Sequence, residues 1–181
     1  MRVISGTARG LKLLSLEGDD TRPTLDRVKE ALFSMLIPYL NHATVLDLFA
    51  GSGALGIEAL SRGSSEAVFV ETNSHAMDVV KKNVSAARFT DRATFYSKNA
   101  LDYLNHCSDK VFDLILIDPP YRGELYEKCL ELISANSLLH EEGVIVLEWD
   151  STLSRPNVPD CYEILKERRY GRVMVTLLGL I

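Results

Sequence analysis

Short apolar runs alternate with longer amphipathic segments along most of the chain. The runs have the length and β-branched composition of strands, whereas the segments between them place apolar residues at helical spacing. This alternation predicts an α/β fold with a mostly parallel sheet. The predicted strands are 45–48, 67–70, 93–97, 111–117 and 143–149, and the predicted helices are 24–35, 54–62, 74–87, 101–106 and 124–137.

The two ends of the chain have strand patterns of a different kind. Apolar residues around Gly6 and Gly10 predict a β-hairpin or two short strands within the first 17 residues. Residues 162–178 are typical of two strands that meet at Tyr170 and Gly171 in a hairpin. We expect a single domain over residues 1–181, in which residues 1–40 form an N-terminal hairpin-plus-helix extension.

The apolar run at 111–117 is the most informative strand. It is nearly unbroken and rich in Ile and Leu, which indicates a strand buried on both faces and excludes an edge position. Pro119 and Pro120 then end the strand, because proline cannot donate to a sheet ladder. Asp118 and Tyr121 are therefore predicted to lie at a rigid carboxyl end, the side of an open α/β sheet on which ligands bind.

Residues 118–121 suit the activation of a weakly nucleophilic nitrogen. A carboxylate of Asp118 and the carbonyl of Pro119 could each accept one N–H of an exocyclic amine or amide, and Tyr121 offers a face on which a base stacks. The tetrapeptide resembles the Asp/Asn-Pro-Pro-aromatic motif of amino-methyltransferases that use S-adenosylmethionine. A strand-ending turn with a core tyrosine is the structural alternative.

A glycine-rich loop follows the first predicted strand. Gly51, Gly53 and Gly56 match a G-x-G-x-x-G pattern, and Glu71 follows 20 residues after Gly51, so a dinucleotide site is a serious alternative. Asp47 argues against it, because a carboxylate at this strand end would repel a pyrophosphate. S-adenosylmethionine has no phosphate and carries an ammonium and a sulfonium, which an acid favours.

A third segment identifies a narrower family. Thr21-Arg22-Pro23-Thr24, followed by residues 26–30 in the sequence Asp-Arg-Val-Lys-Glu, closely resembles the N-terminal motif of bacterial enzymes that methylate a guanine N2 in small-subunit (16S) ribosomal RNA. The resemblance covers nearly the whole chain, with all three segments in order. It implies a three-layer, Rossmann-like class I methyltransferase sheet with a C-terminal antiparallel hairpin and the strand order 3-2-1-4-5-7-6.

The resemblance also implies roles for individual residues. The loop would hold the methionine part of S-adenosylmethionine, Glu71 the ribose hydroxyls, and Asn99 with Ala100 the adenine, although Asn99 is equally suited to cap a helix. The implied catalytic residues are Asp118, Pro119, Pro120 and Tyr121. The implied cofactor-binding residues are Asp47, Phe49, Ala50, Gly51, Ser52, Gly53, Glu71, Asn99 and Ala100.

Composition and charge narrow the possible partners. The 181 residues carry a formal net charge of −5. This charge argues against non-specific binding of nucleic acid over most of the surface, but not against local basic patches. Three scattered cysteines and four scattered histidines suggest neither disulfides nor a metal site. No segment is typical of a signal peptide or membrane span, so we expect a cytoplasmic protein. The candidate contacts to 16S ribosomal RNA, within a partly or fully assembled small subunit, are Arg2, Arg9, Lys12, Arg22, Arg122, Arg168, Arg169 and Arg172.

Three alternatives to ribosomal RNA methylation stay open at this point. The tetrapeptide also permits methylation of DNA adenine N6 or of a protein glutamine, although no target-recognition domain for DNA is evident. The glycine spacing alone favours an NAD-linked oxidoreductase. A non-catalytic RNA-binding module that kept the fold is the third possibility.

Overall fold

The computed structural model describes residues 1–16, 23–107, 110–119 and 124–181, without the side chains of residues 23–25. Its helices are α1 (Pro23–Met35), α2 (Ile37–Leu40), α3 (Ala54–Ser61), α4 (Ser74–Ala86), α5 (Ala100–His106) and α6 (Leu125–Ala135), with a 3₁₀ turn at Thr90–Arg92. Its strands are β1 (Thr44–Asp47), β2 (Glu66–Val70), β3 (Ala93–Tyr96), β4 (Phe112–Ile117), β5 (Leu139–Asp150), β6 (Tyr162–Tyr170) and β7 (Val173–Leu180).

One seven-stranded sheet runs through the molecule in the order β3-β2-β1-β4-β5-β7-β6. Strands β1 to β5 pair in parallel, and β7 pairs antiparallel with both β5 and β6. The predicted strand order, the terminal hairpin and the central position of β4 are all confirmed. Because β1 and β4 are neighbours at the point where the strand order reverses, their carboxyl ends border the crevice in which such sheets bind ligands.

Helices cover both faces of the sheet and create two apolar cores. One core joins the N-terminal segment, α1, α3 and α4 to one face. The other joins α5 and α6 to the opposite face. Alternate residues of β4 enter different cores, with Leu114 and Leu116 in the first and Ile115 and Ile117 in the second. This burial on both faces explains why β4 is apolar from Leu114 to Ile117.

The N-terminal hairpin is less regular than predicted. Within residues 1–16, one antiparallel bridge joins Arg2 to Lys12, and further bridges that would extend it into a ladder are absent. The reason lies in α3, where the fully buried Glu58 accepts hydrogen bonds from the backbone N–H groups of Ile4 (2.8 Å) and Ser5 (3.0 Å). These two amides are therefore directed at a helix instead of at an opposing strand.

Other element boundaries differ by a few residues, and β5 differs by more. This strand begins at Leu139 rather than at Gly143, because Leu139 pairs with Phe112 across a register irregularity. The polar sequence His140-Glu141-Glu142 hides this extension, since all three side chains are exposed. No helix in the described ranges has the length and apolar character needed to cross a bilayer.

Candidate active site

The loop after β1 depends on two glycines with left-handed backbone. Gly51 has φ +53° and Gly53, which precedes α3, has φ +79°. Both values favour glycine. A Cβ at Gly53 would lie 3.0 Å from Val80 Cγ1, whereas a Cβ at Gly51 would meet no atom within 4 Å. The backbone at Gly51 is thus accessible to a ligand, and Gly53 is held by packing.

Asp47 ends β1 beneath this loop. Its side chain is buried, and Oδ2 accepts a hydrogen bond of 3.0 Å from the N–H of Gly56 in the first turn of α3. Burial raises the pKa of Asp47 to about 7, the Gly56 hydrogen bond opposes this shift, and the charges of Asp118 and Glu71 add to it. Asp47 therefore organises the start of α3 and sits within electrostatic range of two other acids.

Glu71 follows β2 and connects two backbone segments. Its Oε2 accepts a hydrogen bond of 2.9 Å from Gly51 N–H, and its Oε1 accepts one of 2.8 Å from Asn73 N–H. Each carboxylate oxygen can accept a second hydrogen bond, so the side chain remains able to bind hydroxyl groups. The N–H groups of Gly51 and Gly56 therefore already donate to the carboxylates of Glu71 and Asp47. These acids would repel a pyrophosphate, whereas they favour a cationic ligand that carries hydroxyls.

The remaining predicted cofactor residues flank the same loop. Phe49 is half-buried and packs against the core on the α5–α6 side, while Ala50 is buried and donates its N–H to Val70 O (3.0 Å). Asn99 caps α5, since its Oδ1 accepts from Leu101 N–H at 2.9 Å, and Ala100 is the buried first residue of that helix. The capping role of Asn99 is thus observed, and its contact with adenine stays a prediction.

Asn83 was not predicted from the sequence, although it holds the loop in place. This buried α4 side chain donates through Nδ2 to the carbonyls of Ser52 (2.8 Å) and Leu14 (3.0 Å), and its Oδ1 accepts from Leu14 N–H (2.8 Å). It joins the N-terminal segment to the glycine loop. A polar residue between Val80 and Val84 on the otherwise apolar face of α4 was the signal that could have revealed it.

The predicted catalytic corner lies at the carboxyl end of β4. Asp118 is exposed and Pro119 is buried, and both line a cavity of about 650 Å³. The register places Asp47 of β1 beside Leu116 of β4, so the corner and the glycine loop share one edge of the sheet. Glu148 of β5, another residue that the sequence did not single out, lines the same cavity. Pro120, Tyr121 and Arg122 lie outside the described residues.

Proteins of known name are similar to this chain over almost their whole length. The chain is 38% identical to "Putative rRNA methyltransferase YlbH" of Bacillus subtilis, over 98% of the chain and 97% of that protein. It is 36% identical to "Ribosomal RNA small subunit methyltransferase D" of Haemophilus influenzae, over 98% and 92%. The solved structure of "Putative methyltransferase yhhF" of Escherichia coli matches with TM-score 0.88 and 32% identity, over 98% and 96%.

A family model agrees with these pairwise similarities. The model described as "Conserved hypothetical protein 95" matches residues 1–179. The chain belongs to this methyltransferase family. The family, the class I fold and the methyl-transfer activity predicted from the sequence are thereby confirmed, and the acid-lined loop agrees with S-adenosylmethionine as the cofactor.

The predicted RNA-contacting residues of this methyltransferase form two exposed groups. The first, Arg2, Arg9 and Lys12, lies on the N-terminal segment, where Arg2 pairs with Asp26 of α1 at 3.5 Å. The second, Arg168, Arg169 and Arg172, lies around the β6–β7 turn. Arg172 pairs with Asp150 at 3.0 Å and lines the cavity of Asp118. Arg22 lies outside the described residues, and RNA contact by any of these side chains stays a prediction.

Proposed function

We propose that this enzyme transfers the methyl group of S-adenosylmethionine to the exocyclic N2 amine of a guanine in 16S ribosomal RNA of the small subunit. The observation that carries the proposal is the shared edge of β1 and β4. Asp47 pairs with Leu116. Asp118 lies two residues after Leu116, so it is close to the glycine loop, which begins directly after Asp47. A nitrogen held at Asp118 is then next to a methyl donor held in the loop.

One set of site residues binds the cofactor, and another binds the substrate. S-adenosylmethionine supplies a methyl carbon on a cationic sulfur, which needs no further activation. Glu71 and the open backbone at Gly51 hold the nucleoside and methionine parts, and Asp47 keeps the loop in shape through Gly56. Local negative charge from Asp47, Glu71 and Asp118 favours a cationic ligand in this crevice.

The corner at Asp118 acts on the substrate amine. The N2 lone pair of guanine is delocalised into the ring, so the amine is a poor nucleophile. Acceptance of one N–H by the Asp118 carboxylate and the other by the Pro119 carbonyl draws the nitrogen towards a tetrahedral shape and directs its lone pair at the methyl carbon. The positive charge that develops on nitrogen is stabilised by the carboxylate, which is also placed to take up the proton that the nitrogen loses.

Ribosomal RNA is favoured as the substrate by three lines of support. The Haemophilus influenzae relative is named a small-subunit ribosomal RNA methyltransferase, and it aligns with 98% of this chain. The motif at residues 21–30 resembles that of the guanine-N2 enzymes. Exposed cations at the N-terminal segment and at the β6–β7 turn suit phosphate contacts with a structured surface. Action on a partly or fully assembled subunit places the enzyme in the cytoplasm.

Mass spectrometry of modified nucleosides tests the proposal. Small subunits from cells that lack this gene are incubated with the enzyme and isotopically labelled S-adenosylmethionine, in parallel with DNA and total protein. We expect labelled N2-methylguanosine from the subunits, and about 10²- to 10³-fold slower labelling with Asp118→Ala at nearly unchanged cofactor affinity. Labelled N6-methyladenosine or methylglutamine in place of N2-methylguanosine would refute the proposal.

A further inference from the structure

Glu148 is placed to contact the substrate base although no sequence motif contains it. Register pairs Ile117, the last residue of β4, with Leu147 of β5, so Asp118 directly follows β4 beside Glu148 of the adjacent parallel strand. Leu116 and Val146, two positions earlier, both face the core formed by α1, α3 and α4. Since side chains alternate along a strand, Glu148 follows Val146 to this face, and its carboxyl group interacts with the charge of Asp118 in the same cavity.

The backbone of Glu148 is held firmly on both sides. Glu148 pairs with Val175 of β7, and its carbonyl accepts a hydrogen bond of 2.6 Å from the hydroxyl of Tyr126 in α6. Its half-buried side chain lines the cavity with Asp118 and Pro119. A carboxyl group on a paired central strand is positioned more accurately than one on a loop.

The Glu148 carboxyl also differs from its acidic neighbour in the cavity wall. Asp150 accepts hydrogen bonds from Thr152 N–H (2.8 Å) and from Arg172 (3.0 Å). Among the residues that the structure describes, none donates a hydrogen bond to the carboxyl of Glu148. Burial and the negative charge of Asp118 raise the pKa of Glu148 to about 8, because two acids in one cavity repel each other. A ligand with adjacent N–H donors would relieve this repulsion.

We propose that Glu148 is a second substrate-contacting acid, which accepts the N1–H of the target guanine while Asp118 accepts an N–H of the neighbouring N2 amine. The inference rests on the proposed guanine-N2 function and assigns base discrimination to a residue outside the Asp-Pro-Pro-Tyr segment. Guanine offers N–H donors at both N1 and N2, whereas adenine and 2-aminopurine have an acceptor at N1. The N–H donors of guanine favour the ionised form of Glu148, and this carboxylate repels the N1 lone pair of the other two bases.

A substrate with 2-aminopurine separates this role from a structural one, since that base keeps the reactive 2-amino group and lacks only the N1–H. Small subunits are reconstituted with guanine or 2-aminopurine at the nucleotide that the wild-type enzyme modifies. We expect the wild type to favour guanine by about 10- to 100-fold in kcat/KM. In Glu148→Gln, the amide Nε2 can donate to N1 of 2-aminopurine, and the uncharged Oε1 is a weaker acceptor for the N1–H of guanine than a carboxylate is. Guanine methylation should therefore fall by a similar factor, and the preference should largely disappear.

The controls distinguish the possible failures. Glu141→Gln, an exposed substitution near the start of the same strand, should retain wild-type preference, and cofactor affinity by calorimetry should be unchanged in both variants. Wild-type kinetics for Glu148→Gln, or an equal loss on both bases, would overturn the assignment to Glu148. If the wild-type enzyme forms no N2-methylguanosine at all, the proposed function itself fails, which is a separate result.

Discussion

Substitution of Asn83 should separate the contribution of the loop clamp from the chemistry of the site. Asn83→Leu keeps a side chain of similar size but removes hydrogen bonds to Ser52 O, Leu14 O and Leu14 N. Asn83 is 2% exposed and its hydrogen bond to Ser52 O is buried, so water cannot replace that partner without structural change. Each buried group left unsatisfied costs roughly 1–3 kcal/mol. The two Leu14 groups are only part-buried and can gain contact with water, which reduces the sum, and we expect a loss of about 3–5 kcal/mol.

Urea and thermal denaturation measure this loss directly. A change of 1 kcal/mol shifts the melting temperature by about 2–4 °C in a domain of this size, so we expect a decrease of roughly 6–20 °C. The matched control is Asn105→Leu on the exposed face of α5, which should change stability by less than about 0.5 kcal/mol. A decrease in Asn83→Leu no larger than in this control would refute the view that Asn83 joins the glycine loop to the N-terminal segment.

Cofactor affinity gives an independent measure of the same clamp. The Ser52 carbonyl lies between Gly51 and Gly53, so release of this carbonyl should widen the range of loop conformations. A loop that must be ordered on binding reduces affinity by the fraction of molecules in the competent conformation. We expect about 10-fold weaker binding of S-adenosylmethionine by calorimetry, at a temperature well below the melting transition. Unchanged affinity would mean that the loop holds its shape without Asn83.

Three further predictions concern the loop and its acids. Gly56→Ala should destabilise the fold by about 1–3 kcal/mol in urea denaturation, because the added Cβ would lie 2.4 Å from Phe69 Cε1, whereas Gly63→Ala, with no atom within 4 Å, should cost only its backbone strain. Glu71→Ala should weaken cofactor binding about 10- to 100-fold by calorimetry while stability falls by no more than about 2 kcal/mol, since the Gly51 and Asn73 amides lose their acceptor. Asp47→Asn should stabilise the protein relative to wild type increasingly as pH rises, because the folded pKa of about 7 exceeds the ordinary value of 3.8, so wild type loses stability between these values. We expect the difference between the two proteins to grow by about 3 kcal/mol from pH 5 to pH 8, and a constant difference would contradict the raised pKa of Asp47.

The sheet could be predicted from the sequence because strands buried on both faces and strands buried on one face have different hydrophobic patterns. The apolar residues at 114–117 of β4 reflect contact with a core on each face, and the final hairpin followed from two strand patterns around Gly171. The N-terminal hairpin was predicted less well, because Glu58 binds the backbone of Ile4 and Ser5 across more than fifty residues of sequence. A local pattern contains no trace of a partner so distant in the chain.

The candidate site shows the same division. Asp47, Gly51 and Glu71 were found because glycine loops and strand-end acids recur at characteristic spacings. Asn83 and Glu148 were missed, since the first is a single polar residue on an apolar helix face and the second resembles any acid near a strand end. Only the register of β4 with β5 brings Glu148 beside Asp118.

By itself, the sequence determined the fold class, the methyltransferase family and the segments that form the candidate site. Those properties depend on local patterns of burial, on the backbone freedom of glycine and proline, and on motifs of a few adjacent residues. Tertiary structure alone decided which distant groups meet: Glu58 with the N-terminal amides, Asn83 with the glycine loop, and Glu148 with Asp118. The reason is that strand register and helix packing arise from the sum of many contacts, so no short stretch of sequence specifies such a pair.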